Sequence, residues 1–210
     1  MKLSPKKFNR FVARIGQNVS WKRAYDCPCK DPNSGAASYD CLICDGVGHV
    51  WDDALPCNLA LSGQKIQRQW ADFGAWENGD VVVTIGSDSP VYKAGEFDRI
   101  TLEDSSAPFS ITKIHDGSER LPFKIVVIDR IFWLDDESNI INGEIPTVDV
   151  DGSLTWIVSP PSGIQYSITG RRRPEYYMYQ EFPQDRAHFQ GAALPRRVVL
   201  RSFELMSKSL

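Results

Sequence analysis

Two hydrophobic periods divide the chain. Near the start, in SPKKFNRFVARIG, Phe8, Phe11, Val12 and Ile15 recur at i, i+3, i+4 and i+7, the spacing of one helical face. Ser4 and Pro5 suit a helix start and Gly16 a stop, so residues 1–20 are predicted to hold an N-terminal helix. Its apolar stripe must lie on its own domain or on a neighbouring subunit, and the spacing does not choose between them. From about residue 79 the period falls to two. GDVVVTIG, FDRITLED, PFSITKI, FKIVVIDRIFWL, LTWIVS, YSITG, EYYMYQEF and RRVVLRSFEL are short runs rich in Val, Ile, Thr and aromatics, divided by turn residues. Such runs predict a mainly β fold, a barrel or sandwich rather than alternating βαβ units.

Residues 121–182 stand apart, because VDVDGSLTWIVSPPSGIQYSITGRRRPEYYMY reads as a turn, a strand with Trp156, a Pro-Pro-Ser-Gly corner and two Tyr-bearing strands. The expected architecture is a β-barrel from residues 61–120 and 183–210, ending on RRVVLRSFEL, with a β-sandwich-like (Ig/fibronectin-like) insertion over 121–182. Candidate linkers are Ser105–Pro108 and Phe182–Pro195. Alternation places Tyr177 and Tyr179 on one strand face and Tyr176 on the other, a pattern of core plus interface.

Composition narrows the function. The 210 residues suffice for one large or two small domains. A net charge of −3 argues against an unmodified nucleic-acid coat, which needs excess Lys and Arg to neutralise phosphates. No apolar run approaches the roughly 20 residues of a membrane helix, and the N-terminus lacks the apolar stretch of a signal peptide. The expectation is a soluble protein with no membrane partner, made in a reducing cytoplasm, where clustered cysteines serve metals more often than disulfides.

Four of the five cysteines fall between residues 27 and 44, as Cys27-Pro28-Cys29 and Cys41-Leu42-Ile43-Cys44, followed by Asp45-Gly46-Val47-Gly48. Two such pairs separated by a loop suit tetrahedral zinc, and glycines after the second pair let backbone N–H groups approach a thiolate. Residues 21–60 are therefore predicted to form a zinc-binding segment, with Cys27, Cys29, Cys41 and Cys44 as the ligands of a structural Zn2+. The tight first pair could instead supply one ligand, with His49 or Cys57 completing the set. Cys57, beside Leu55 and Leu59, reads as a buried small hydrophobe. Four thiolates leave no open position for catalytic water. Elsewhere, His115 and His188 lack a nucleophile in any recognisable motif and read as surface or turn histidines; no phosphate loop, dinucleotide fingerprint or nucleophile elbow occurs. The chain is not expected to be an enzyme, and catalytic and cofactor-binding residues are expected to be none apart from the metal set. Arg171-Arg172-Arg173 and Arg196-Arg197 with Arg201 could meet DNA or an acidic partner, although partner or solvent contact is the plainer reading.

The stretch FVARIGQNVSWKRAYDCPCKDPNSGAASYDCLICDGVGHVW resembles the opening of a family of small virion proteins of tailed bacteriophages: a helix, a Trp-bearing strand, Cys-Pro-Cys-x-Asp-Pro, then Cys-x-x-Cys-x-Gly-x-Gly and an aromatic. GDVVVTIGSDSPVYKAGEFDRITLED is similar to the same family, and the likeness covers about the first half of the chain. The resemblance implies a head-tail connector (neck, head-closure) protein, assembled in the host cytoplasm and located in the virion. It would form a homo-oligomeric ring between a portal or adaptor protein above and a tail or tube-terminator protein below, with DNA passing through its channel without sequence recognition. Another tail or baseplate structural role is the neighbouring alternative. A zinc-ribbon nucleic-acid-binding protein is a rival, disfavoured because Lys22, Arg23 and Lys30 face Asp26, Asp31, Asp40, Asp45, Asp52 and Asp53. The cysteine turn also resembles the zinc domain of DnaJ-type co-chaperones, which carry it four times against once here.

Overall fold

A computed structural model describes residues 4–183 and 187–207. The chain divides into two units, Met1–Asp104 with Glu175–Leu210, and Ser105–Pro174.

The first unit opens with α1 (Pro5–Ile15), which begins after Ser4 and ends at Gly16. Ser4 holds the first turn through its carbonyl, which accepts from the Lys7 and Phe8 N–H groups. There follow β1 (Gln17–Lys22), the short pair β2 (Ala24–Asp26) and β3 (His49–Trp51), β4 (Leu55–Leu61), α2 (Gln64–Asp72), β5 (Val81–Ile85) and β6 (Arg99–Leu102). The second unit contributes β7 (Ala107–Ile114), β8 (Ile125–Leu134), β9 (Ile140–Asn142), β10 (Thr147–Val148), β11 (Leu154–Thr155) and β12 (Gln165–Arg172). The chain then returns to the first unit with β13 (Glu175–Glu181), β14 (His188–Phe189), β15 (Ala192–Ala193), β16 (Arg196–Ser202) and α3 (Phe203–Ser207).

Six strands close a barrel in the order β1-β4-β5-β16-β13-β6, with β6 pairing back to β1. Every pairing is antiparallel. Its interior is filled by Val19, Leu59, Val83, Ile85, Ile100 and Leu200, each at most 1% exposed. On β5 the intervening Val82 points the other way and packs with Trp70 of α2, Val199 and Phe182. Burial on both faces explains why VVVTI carries no polar alternation. On β13, Tyr176 packs toward the barrel core, while Tyr177 and Tyr179 share the opposite face with rings 6.4 Å apart.

The second unit is a four-stranded antiparallel sheet, β7-β12-β8-β9, with the β10-β11 ribbon. Phe109, Ile128, Ile131, Tyr166 and Ile168 form its core, and Val148 and Leu154 of the ribbon pack there. The pair of facing sheets expected of an Ig-like sandwich is not seen among the described residues. The divisions also fall elsewhere than the sequence suggested. The 105–108 linker coincides with a boundary, but residues 107–114 pair with β12 rather than with the barrel, and the unit ends at Pro174 because β13 pairs with β6 and β16. The barrel likewise takes β1 and β4 from stretches assigned to the helix and the zinc segment. Part of the Phe182–Pro195 stretch lies outside the described residues.

Candidate metal centre

The cysteine segment hangs from the β2-β3 pair, in which Asp26 lies opposite His49. Asp98, 2% exposed, ties its base to the barrel. Its carboxylate accepts from Trp21 Nε1 at 2.7 Å, from the Ala24 N–H at 2.7 Å and from the Gly95 N–H at 3.0 Å. On the outgoing side, Trp51 Nε1 donates to the Phe97 carbonyl at 3.0 Å. Two polar anchors thus fix the stem before any sulfur is considered.

Beyond the stem the chain folds back twice. The Cys27 N–H donates to the Gly48 carbonyl and the Lys30 N–H to the Cys27 carbonyl, while the Asp45 and Val47 N–H groups donate to the carbonyls of Cys41 and Cys44. These turns bring Cys27, Cys29, Cys41 and Cys44 together, all four sulfurs within 4.8 Å of one another. Cys27 Sγ lies 3.8 Å from Cys41 Sγ, and Cys29 Sγ 3.5 Å from Cys44 Sγ. All four thiols are free of disulfides. A tetrahedral ion with metal–sulfur bonds of about 2.3 Å needs sulfurs about 3.8 Å apart. The cluster therefore lies close enough to hold a metal ion, with the Cys27–Cys41 and Cys29–Cys44 separations near that of such a tetrahedron.

Gly46 and Gly48 are where the backbone must be glycine. Their φ angles are +77° and +81°, in the left-handed region that a Cβ penalises. A Cβ on Gly48 would also lie 2.8 Å from Lys30 Cε. This geometry lets the Gly48 N–H reach Cys44 Sγ at 3.2 Å.

Backbone amides tune the other sulfurs as well. N–H groups of Cys44 and Ile43 lower the Cys41 thiol to about 7 despite its partial burial. Burial is the largest influence on Cys29, raised to about 12 against a backbone hydrogen bond from Ser38. For Cys27 the Cys29 backbone pulls down most strongly, but burial and the thiols of Cys44 and Cys41 together leave it raised. Cys27 and Cys29 thus favour the thiol while Cys41 gives up its proton more readily, and a cation shared by the four sulfurs would take the place of their protons.

His49 and Cys57 are not in the cluster. The buried His49 has Nδ1 3.4 Å from Asp26 and Nε2 3.3 Å from Lys30 Nζ, and its ring stacks on Phe97 at a centroid distance of 4.2 Å. Burial first, and the Lys30 charge second, lower its pKa and favour the neutral ring. Cys57 packs against the barrel core, and burial pushes its thiol up. The Asp26–His49–Lys30 arrangement was not foreseen; its signal was Asp26 and Lys30 flanking the first cysteine pair, with His49 after the second glycine.

The sequence reading of His115 was a surface or turn histidine, and it lies just after β7. Its side chain is largely buried, with Nδ1 2.6 Å from Glu119 and the ring edge-on to Trp156. His188 is exposed on β14.

Arg171, Arg173, Arg196 and Arg201 of the arginine clusters are engaged within the chain. Arg201 makes two 2.9 Å contacts with Asp80 and lies 3.8 Å over the Tyr179 ring; the Asp80 hydrogen bond raises its pKa. Arg196 donates to the carbonyls of Tyr92 and Ala94, and Arg171 and Arg173 donate to Ser106 and Ser105. No helix among the described residues is long and apolar enough to cross a membrane. No protein-family model matches the chain, and no curated protein matches it.

Proposed function

We propose that the chain is a non-catalytic structural subunit of a tailed-phage neck, a head-tail connector that assembles as a ring, with Zn2+ as a structural ion on Cys27, Cys29, Cys41 and Cys44. The observation that carries this reading is the four-thiol cluster mounted on a closed six-stranded barrel, set in a sequence that resembles connector proteins. A barrel has no open sheet edge and offers rigid walls for lateral contacts. A four-thiolate site saturates zinc, so the ion would supply stability to the segment and no reactive position.

The partners follow from the same reading: further copies in the ring, a portal or adaptor above, a tail or tube-terminator protein below, and DNA in the channel. The acidic surroundings of the cluster and the internal engagement of Arg171, Arg173, Arg196 and Arg201 weigh against the zinc-ribbon nucleic-acid alternative. The test is quantitative mass spectrometry of purified virions from cells producing the phage that encodes this chain, together with elemental analysis of the purified protein. Presence at a fixed, ring-sized copy number with one zinc per chain is expected; absence from virions overturns the connector assignment, and another metal or none overturns the zinc.

A further inference from the structure

The helix that opens the chain leaves most of its apolar stripe uncovered. Val12 is buried, but Phe8, Phe11 and Ile15 remain 40%, 50% and 51% exposed. With Leu61 and Ile66 they line a groove of about 930 Å³. A second apolar feature stands at the other end of β1. The cysteine turn exposes Leu42 at 96% and Ile43 at 73%, with Tyr39 at 80% beside them. Gln17, next to the helix, and Lys22, next to the stem of the cysteine segment, bound β1. Five steps of about 3.3 Å put roughly 16 Å between the two ends, so the groove and the turn stand at opposite ends of that strand.

Their charges are opposite. Helix α1 carries Lys6, Lys7, Arg10 and Arg14 and no acidic residue, whereas the exposed turn is bracketed by Asp40 and Asp45 with no basic residue between them. Groove on groove would set two basic helices together, and turn on turn would set the aspartates together. Groove on turn pairs apolar with apolar and positive with negative.

We propose that the α1 groove of one copy receives the Tyr39–Leu42–Ile43 turn of a second copy. The contact is heterologous, because each copy gives one surface and takes the other, and it propagates into a ring if the rotation closes or a filament if it does not. This deepens the ring-subunit reading and rests on it. It also gives the metal an assembly role: the cysteine cluster fixes the turn that docks.

The test uses two versions of the full chain, Leu42→Asp with Ile43→Asp to disable the turn and Phe11→Asp with Ile15→Asp to disable the groove. Zinc content and amide protection of β5 and β16 establish that each still folds; Leu42→Ser with Ile43→Ser replaces the first should it lose metal. In sedimentation over a wide concentration range the wild type should self-associate, and each variant alone should associate roughly tenfold or more weakly. Mixed one to one, they should form a heterodimer that grows no further, since only one groove and one turn remain. A photo-crosslinker at position 42, in mixed light and heavy chains, should join position 42 of one copy to residues 8, 11, 15, 61 or 66 of another. Undiminished association of the turn variant, a mixture that stays monomeric, groove-to-groove cross-links, or no interchain cross-links at any concentration would each overturn the proposal. Those failures leave the connector reading to stand or fall on virion content, because a ring can be built through other surfaces.

Discussion

The barrel and the cysteine segment belong to one unit, yet they are held together by different physics. Around the barrel, Val19, Leu59, Val82, Val83, Ile85, Ile100 and Leu200 are at most 1% exposed, and strand pairing closes the sheet on itself. Between Cys27 and Gly48 only Cys27, Cys44 and Gly48 are buried, while Leu42 and Ile43 face solvent. A stretch of that length with so little apolar burial does not offset its own conformational entropy. The barrel can stand on solvent exclusion; the segment needs a cross-link, and four converging thiols are what the sequence provides.

The comparison breaks most visibly on metal removal. Structural zinc on thiolates is worth about 10–16 kcal/mol of apparent binding free energy, all of it available to order the segment. Chelation, or Cys44→Ser, should therefore abolish amide protection across residues 27–48 while β5 and β16 stay protected. Hydrogen exchange read by mass spectrometry checks this, and simultaneous loss of barrel protection would show that the two regions are one cooperative unit.

A complementary change strikes the barrel and spares the sulfurs. Leu59 is 0% exposed in the central cluster, and truncating a buried Leu costs about 2–5 kcal/mol through lost transfer energy and the cavity left behind. Leu59→Ala should lower the denaturant midpoint by a corresponding amount, with one metal per chain still bound before the transition. Metal loss ahead of unfolding would mean that the Asp98 and Trp51 anchors transmit barrel strain to the cluster.

The two regions also differed in how much of them could be read from the sequence. The convergence of the four cysteines was legible because it is local: residue type and spacing within eighteen positions suffice to bring the sulfurs together. Strand alternation was legible in β13 and β16, but barrel membership was not: β16 was assigned to the barrel, whereas β13 was read into the insertion and pairs with β6 and β16. Residues 107–114 look like any barrel strand, and only pairing with β12, over 50 residues away, assigns them to the other unit. β4 was hidden by Pro56, although Cys57 and Leu59 keep the alternation. α2 escaped because it buries little beyond Ile66 and Trp70, two positions at i and i+4. In LTWIVS only Leu154–Thr155 forms a strand, and Ile157 is 85% exposed, so hydrophobic content there does not report burial.

A sharper division lies inside the cysteine segment. Gly48→Ala strains a φ of +81° and presses a methyl toward Lys30, for a cost of about 1–2 kcal/mol. The loss should fall on metal affinity, because the Gly48 N–H is the donor to Cys44. Competition with a colorimetric chelator should show roughly tenfold weaker binding and an unchanged barrel midpoint. Equal affinity would mean that the turn tolerates the residue and that Gly48 is not part of the sulfur's environment.

The smallest effect should come from the loop between the two cysteine pairs. Asp31 accepts from the Ser34 and Asn33 N–H groups, at 2.7 and 3.0 Å, and from the Ser34 hydroxyl. The Ser34 backbone bond is the largest reason its pKa is lowered from 3.8. A carboxylate whose folded pKa is depressed contributes stability above its unfolded pKa and loses it as pH falls through the folded value. The loop should therefore hold its turn down to about pH 4 and loosen only below it, whereas protonation of the thiolates releases the metal from the other end of the same segment. Following the Ser34 and Gly35 amide resonances during acidification separates the two events. In Asp31→Ala those amides should exchange faster at neutral pH while the metal stays bound. If the metal leaves with the turn, loop closure and sulfur ligation are a single step, and the segment has no stability except what the ion supplies.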